Sequence, residues 1–445
     1  MKRYVYMLMA AITLTACSPI NDEAAPQEEY LSASAATITE KKTVTFSEKV
    51  TTEASELISD TVSSEESIVS ELCDTEITEA PIVTSDEPML TETANDELAE
   101  YICYADSEHV KICGRTLFKD NVRYLGYSCS SVEFNFHGKY AEIELIPEPL
   151  SSEENEYSYY SVTVNSEDVF KGLLTEKTVF TAVDTDTAED INIKITKLSE
   201  GCFGAVGVGY IKTIADGEIF PAEPAQKRIE FIGDSLTCGY GVNAANATER
   251  FSTSTEDGLA AYAAITAERL GMDYNIIGMN GIGVISRYTP RGEKKTEGFL
   301  MPELYRYTDG FRSNEIWDNN NFVPDICVIA LGANDNSYTC GIKSREEEFS
   351  EGYIDFIKQV RQANPNAYII CASGIQKSNL YEVINASVDS YKTETGDVNI
   401  CSFRFNSQKD SEGYGSDYHP SAVSQKRFAD ELYNVITEIL PEYSE

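Results

Sequence analysis

The run Ile229-Glu230-Phe231-Ile232-Gly233-Asp234-Ser235-Leu236-Thr237 decides the fold. Three apolar residues around one glutamate lead into a glycine, an acid and a serine, where a helix can start. An apolar run this short suits a strand buried on both faces of a parallel sheet. Four more such runs follow toward the C-terminus: Tyr274 to Ile277, Ile326 to Leu331, Tyr368 to Cys371 and Val398 to Cys401. Amphipathic stretches separate them. Leu259, Tyr262, Ala263, Thr266, Ala267 and Leu270 share a helical face behind Ser254 and Asp257, which are spaced as a capping box. Phe349, Tyr353, Phe356, Ile357 and Val360 repeat the arrangement behind Ser344 and Glu347, and Phe428, Leu432, Val435, Ile436 and Ile439 mark a last helix. Strands alternating with helices predict a doubly wound α/β/α domain over residues 225–445, with its site at the carboxyl ends of the strands.

Toward the N-terminus the period changes to two. Val132-Glu-Phe134-Asn-Phe136, Ile143-Glu-Leu145, Val162-Thr-Val164 and Ile191-Asn-Ile193-Lys-Ile195 alternate apolar and polar residues, the pattern of half-buried strands. Their repetition between turn residues predicts a β-sandwich over 98–224, ending at the Pro221 and Pro224 linker. Residues 18–97 are rich in Ser, Thr, Glu and Ala and keep no apolar period. Such a segment cannot bury enough apolar surface to offset its ordering entropy, and it reads as an acidic, self-repelling spacer. At the start, Lys2 and Arg3 precede an apolar run from Val5 to Leu14, too short for a comfortable membrane span. Leu14-Thr15-Ala16-Cys17 matches a bacterial lipobox, so residues 1–17 read as a lipoprotein signal peptide with Cys17 as the lipidated residue. An ordinary signal peptide with a chance cysteine is the other reading. An exported, membrane-anchored protein is expected.

The formal net charge of -39 argues against nucleic acid or an anionic membrane surface as the main ligand, since both are recognised through positive charge. There are eleven cysteines but no CxxC pair and only three histidines, a composition that argues against zinc, and no cofactor or metal is expected. A Cys103–Cys113 disulfide and buried free thiols are both compatible with the spacing.

Ser235 stands just past the first predicted strand. A serine hydroxyl needs a base within hydrogen-bond reach, and backbone N–H groups at a helix mouth face the place where a tetrahedral oxyanion forms. A capped strand–helix junction would look the same. His109 and His137 fall in the strand-rich region, leaving His419, in Ser416-Asp417-Tyr418-His419-Pro420, to serve the α/β domain. Asp417 is the natural orienter of its ring, and a backbone carbonyl is the alternative. Asn334, in Gly332-Ala-Asn334-Asp335 after the third strand, offers an amide donor, although Gly, Asn and Asp also favour plain turns. Gly281 in Asn280-Gly281-Ile282-Gly283 would bring a backbone N–H to the same place. Trp317 and Tyr338 are candidates for stacking on a sugar ring, or for core packing. Activity is expected to rise as His419 deprotonates near its unperturbed pKa of about 6.5.

Gly233-Asp234-Ser235-Leu236, Gly281, Gly332-Ala-Asn334-Asp335 and His419-Pro420 resemble, in order, the four blocks of the SGNH (GDSL) hydrolases. The resemblance implies that Ser235 is the nucleophile and an oxyanion donor, Gly281 and Asn334 the other donors, and His419 the base. Many SGNH enzymes carry an Asp three residues before the His, where this chain has Ser416. The longer run from Ile229 to Gly241, the Thr255-Glu-Asp257 and Tyr262-Ala263 stretch and the preceding sandwich are similar to carbohydrate esterase family 2. That resemblance implies a jelly-roll domain fused to an SGNH domain. It also implies a metal-free acetyl esterase acting on plant polysaccharides such as xylan or glucomannan, at the 6-position of sugars that have one, in a family whose members can lack a functional triad acid. An acylated oligosaccharide or polysaccharide is the expected partner, the protein acting as a monomer. A lipid esterase or lysophospholipase, and a surface carbohydrate-binding protein, are the competing readings.

Overall fold

Apolar runs flanked by glycine and acid pair side by side in the computed structural model, which describes residues 99–214, 217–290, 293–376 and 380–443. The leader, Cys17 and the 18–97 spacer lie outside the described residues. In the C-terminal region the strands β11 (Arg228–Gly233), β12 (Asp273–Gly278), β13 (Ile326–Ala330), β14 (Tyr368–Ser373) and β15 (Ile400–Arg404) form a wholly parallel sheet in the order β12-β11-β13-β14-β15. The order reverses beside β11, and at such a switch point the loops leaving neighbouring strands diverge to open a crevice.

Helices cover both faces. Ile232, Ile277 and Ile329 pack with Phe349, Tyr353 and Val360 of α5 (Lys343–Ala363) and Ile384 of α6 (Tyr381–Thr395). Phe231, Ile276 and Val328 pack with Tyr262 of α2 (Tyr262–Arg269) and Phe428 and Leu432 of α7 (Ala422–Ile439). Burying a side chain of this size stabilises by roughly 1.5–3 kcal/mol. Shorter helices α1 (Ser235–Cys238), α3 (Met301–Leu304) and α4 (Ala333–Thr339) follow strand ends or loops. The capping boxes expected for two helices do not form. Asp257 accepts from Leu259 N in a 3-10 turn that precedes α2, and α5 begins after Ile342 with no side-chain cap. β15 begins at Ile400 because Gly396, in the left-handed conformation, ends α6 and leaves Val398 exposed in the connection.

The N-terminal domain is a curled antiparallel sheet. It contains β1 (Glu100–Tyr104), β2 (Lys111–Cys113), β3 (Thr116–Lys119), β4 (Val122–Leu125), β5 (Ser131–Pro149), β6 (Tyr159–Val164), β7 (Glu167–Leu173), β8 (Thr178–Lys197), β9 (Gly204–Ile214) and β10 (Glu218–Pro221). Its main order is β3-β4-β9-β5-β8-β6-β7. The long strands β5 and β8 lose register at Gly138/Tyr140 and Ala141/Glu142, where a bulge bends a strand and lets one sheet wrap a core of Phe134, Ile143, Ile193 and Val208. His137 pairs with Asp190 and His109 with Asp106 in this domain.

The two domains share a buried seam. The guanidinium of Arg115, wholly buried, donates to the carbonyls of Tyr305 at 2.6 Å and Tyr307 at 3.2 Å, and lies 3.5 Å from Glu230 of β11. Lys171 meets Asp257 at 2.6 Å and Lys111 meets Asp273 at 2.7 Å. All nine described cysteines, Cys103 and Cys113 among them, are free thiols.

Candidate active site

Three strand ends converge at the crevice beside β11. The first carries Ser235. Asp234 caps α1, its Oδ1 accepting from Leu236 N at 3.0 Å, and Gly233 permits the tight turn, since a Cβ there would stand 2.7 Å from Thr237 Cβ. Ser235 and His419 are 7 % and 4 % exposed, so the pair is largely removed from water while still bordering the cleft. His419 enters on the loop before α7, and its Nε2 lies 2.9 Å from Ser235 Oγ. Its Nδ1 faces the carbonyl oxygen of Ser416 at 3.2 Å. An N–H at Nδ1 donating to that carbonyl leaves the Nε2 lone pair to accept the serine proton. Burial pushes the His419 pKa down to about 4, its backbone hydrogen bonds opposing only part of that shift.

Asp417, expected to orient the ring, makes no hydrogen bond to it through its carboxylate. Its backbone is left-handed, φ 52°, which turns the side chain away, and its carboxylate accepts from Tyr240 OH at 3.1 Å. Tyr240 in turn stacks on the imidazole, ring centroids 4.4 Å apart, and on Phe251 at 3.9 Å. A main-chain carbonyl and an aromatic wall thus hold the ring where a carboxylate was expected.

The second strand end carries Asn280-Gly281. Gly281 takes φ 68°; a Cβ there would be no nearer than 3.7 Å to any neighbour, so the glycine is required by backbone conformation and not by space. The third carries Asn334 and Asp335. The buried Asp335 carboxylate accepts from Val284 N at 3.0 Å, Ile285 N at 2.8 Å and Ser286 N at 3.0 Å, tying the loop after Gly281 to α4. Asn334 Nδ2 donates to Ile282 O at 2.8 Å and to Asp234 Oδ2 at 3.1 Å, bracing the three strand ends against one another. Burial pushes the Asp234 carboxyl up to about 7.

Ser235, Gly281, Asn334 and His419 line one cleft of about 350 Å³, with Tyr240, Asn280, Tyr288 and Gln376 as further polar walls. Asp417, Trp317 and Tyr338 are not among its lining residues. Trp317 lies under Arg115, 5.0 Å from ring to guanidinium, at the domain seam. Tyr338 lies beneath Arg345 at 4.5 Å and donates to Glu348 at 2.9 Å. The roles expected of both in the cleft are corrected accordingly: each ring is spent on an arginine. Tyr288 and Gln376 stand in loops with no periodic signal, so sequence reasoning missed them, whereas Tyr240 sits inside the quoted Ile229–Gly241 run. Chemically, a hydroxyl with a neutral imidazole at 2.9 Å and amide donors across the same cleft is equipped for acyl transfer.

The GDSL-like lipase/acylhydrolase family matches residues 229–432. The chain is 30% identical over 340 residues to the cellulase/esterase CelE of Acetivibrio thermocellus, covering 74% of this chain and 39% of that protein. It is 30% identical over 167 residues to an acetylxylan esterase/glucomannan deacetylase of Cellvibrio japonicus, covering 35% of this chain and 45% of that one. The chain therefore spans less than half the length of either relative. A solved structure of a family two carbohydrate esterase from Clostridium thermocellum, in complex with cellohexaose, superposes with a TM-score of 0.66 at 27% identity, covering 75% of this chain and 99% of that one.

Proposed function

We propose that the chain is a carbohydrate O-acetyl esterase: residues 229–432 match the GDSL-like lipase/acylhydrolase family, and the two domains together are similar in build to a family two carbohydrate esterase. The observation that carries this reading is the Ser235 Oγ to His419 Nε2 contact of 2.9 Å in a cleft that also holds Gly281 and Asn334. His419 takes the Ser235 proton as Oγ attacks the acetyl carbonyl. The developing oxyanion is met by the N–H groups of Ser235 and Gly281 and by Asn334 Nδ2, which shares the hydrogen it otherwise gives to Asp234. His419 then returns the proton to the departing sugar oxygen, and water attacks the acetyl-enzyme by the same route. The substrate is an acetylated plant polysaccharide, either xylan, esterified at a secondary hydroxyl, or glucomannan, which also offers the primary 6-hydroxyl. The small cleft suits a short acyl group, and Tyr240, Asn280, Tyr288 and Gln376 suit sugar hydroxyls better than an alkyl chain.

In the same reading the protein is exported as a monomer, lipidated at Cys17, and held on the bacterial cell surface by the 18–97 spacer. The test is acetate release from acetylated xylan, acetylated glucomannan and acetylated cellobiose, set beside hydrolysis of a long-chain p-nitrophenyl ester. Turnover of the acetylated saccharides, with little of the long-chain ester, is expected. The reverse preference would make the protein a lipid esterase.

A further inference from the structure

The loop joining β8 to β9 belongs to the N-terminal domain but is buried against the cleft of the other. Lys197 and Glu200 are wholly buried. Lys197 Nζ donates to the carbonyls of Ser199 and Glu200, the latter at 2.9 Å, and to Ser199 Oγ at 3.2 Å, so one ammonium clamps the loop backbone. Glu256 of the α/β domain accepts the Glu200 N–H at 3.0 Å. The Glu200 side chain then crosses the seam. Its Oε1 accepts from Asn280 Nδ2 at 2.9 Å, and its Oε2 accepts from the backbone N–H of the same residue. From the other side Arg287 Nη2 reaches the Asn280 carbonyl at 3.5 Å. Burial pushes the carboxyls of both Glu200 and Glu256 up, Glu256 well above the usual range with the Glu200 charge adding to its shift. Three residues along the loop, Phe203 stacks on Phe251 at 5.2 Å and so extends the column that ends on His419.

A buried charge destabilises a fold relative to an apolar side chain unless it is paired or fully hydrogen-bonded. Beside its hydrogen bonds with Cys202 and Glu256, the Glu200 carboxylate accepts from both donors of the residue preceding Gly281. We propose that Glu200 is a positioning residue for acyl transfer: the N-terminal domain reaches across the seam to hold the Asn280–Gly281 turn where the Gly281 N–H meets the oxyanion. This rests on the proposed role of Gly281 as an oxyanion donor. It gives the N-terminal domain a part in the chemistry without any contact between that domain and the substrate. The catalytic advantage of such a post is geometric, since a displacement of about 1 Å in a donor costs about 10²-fold in rate.

The test compares Glu200→Ala and Glu200→Gln with the wild type in the full chain. It measures kcat and KM for acetate release, the rate at which a fluorophosphonate probe labels Ser235, and the thermal midpoint. Glu200→Ala is expected to lower kcat and the labelling rate by about 10²-fold, with KM within about threefold of the wild type. Glu200→Gln keeps the volume and one acceptor, and is expected to recover at least about tenfold of that loss. A folded Glu200→Ala protein that labels Ser235 within about threefold of the wild-type rate, or that changes only in KM, overturns the proposal. Where Glu200→Ala fails to fold, Asn280→Ala decides. It removes the Nδ2 bond but keeps the backbone one, and is expected to lower the rate at which the fluorophosphonate probe labels Ser235 about tenfold, a readout that involves no sugar contact; no loss of labelling overturns the proposal. A wild type that labels at Ser235 but releases no acetate would remove the proposed substrate and leave the labelling ratio to judge Glu200. A wild type that does neither would remove both.

Discussion

The loop that carries His419 and the turn that carries Gly281 face each other across the cleft, yet they are held by different means. The Ser416–His419 loop hangs mainly on main chain, with the side chains of Tyr240 on Asp417 and Gln408 on the Tyr418 carbonyl beside it. Ser416 N donates to Gly241 O at 3.1 Å, Asp417 N to Ala247 O at 3.1 Å, and the imidazole itself rests on the Ser416 carbonyl. All of these partners belong to the α/β domain. The Asn280–Ser286 loop instead hangs on buried carboxylates: Asp335 on three of its N–H groups, and Glu200 of the other domain on Asn280. Main-chain props are indifferent to the side chains around them, so this loop orients the ring without a carboxylate on it. Side-chain props fail when one residue changes. The difference teaches where this site is robust and where it is brittle.

Substitutions test that contrast from either side. Removing the base itself is the largest effect: His419→Ala should lower kcat by about 10⁴-fold, measured as acetate release. Loss of less than about tenfold would mean that the ring is a bystander. On the opposite wall, Asn334→Ala should lower kcat by about 10²–10³-fold. Because the same amide braces Asp234 and Ile282, a drop in thermal midpoint should accompany it, and a variant unchanged in both would place the oxyanion elsewhere.

The pH profile sharpens the comparison without any substitution. Burial favours the neutral imidazole, so the folded-state pKa lies near 4, below the unperturbed value of about 6.5. The free base is therefore already present at pH 5.5, and kcat/KM should hold its plateau there and fall only toward pH 4. The same depression makes the ring stabilising: the contribution is complete above about pH 6.5, where the unfolded ring is also neutral, and is lost as pH falls through about 4. An activity limb centred at 6.5 would show that the ring is solvated in the working enzyme. The smallest effect belongs to the residue that looked most like a triad acid. Asp417→Asn should leave kcat within about threefold, because its carboxylate sits on Tyr240 and asparagine tolerates the same left-handed backbone. A loss of about 10²-fold or more would restore a triad and end the contrast.

The parts legible in the sequence are those in which chemistry or packing is local. Buried parallel strands announced themselves as apolar runs, and the residues at their carboxyl ends, Ser235, Gly281, Asn334 and His419, meet in the cleft because strand ends are where such a sheet gathers its loops. The errors share a cause. Asp417 was placed by its distance along the chain from His419, but a positive φ between them swings the carboxylate aside. Trp317 was open to sugar stacking or to packing, and its partner, Arg115, lies some two hundred residues earlier in a different domain, out of reach of any local signal. Ser254 and Asp257 had the spacing of a helix cap, but the chain spends them on tight turns before α2 starts. Glu200 carries no local signal at all. Its meaning comes from Asn280, which only the docking of two domains brings within reach.

The central claim is that Ser235 forms the bond that releases acetate, and it is tested most directly by replacing that one oxygen. Acetate liberated from acetylated glucomannan by the wild type and by Ser235→Ala, matched in thermal midpoint, should be abundant in the first and at the buffer background in the second. Equal release by the two proteins would contradict the account.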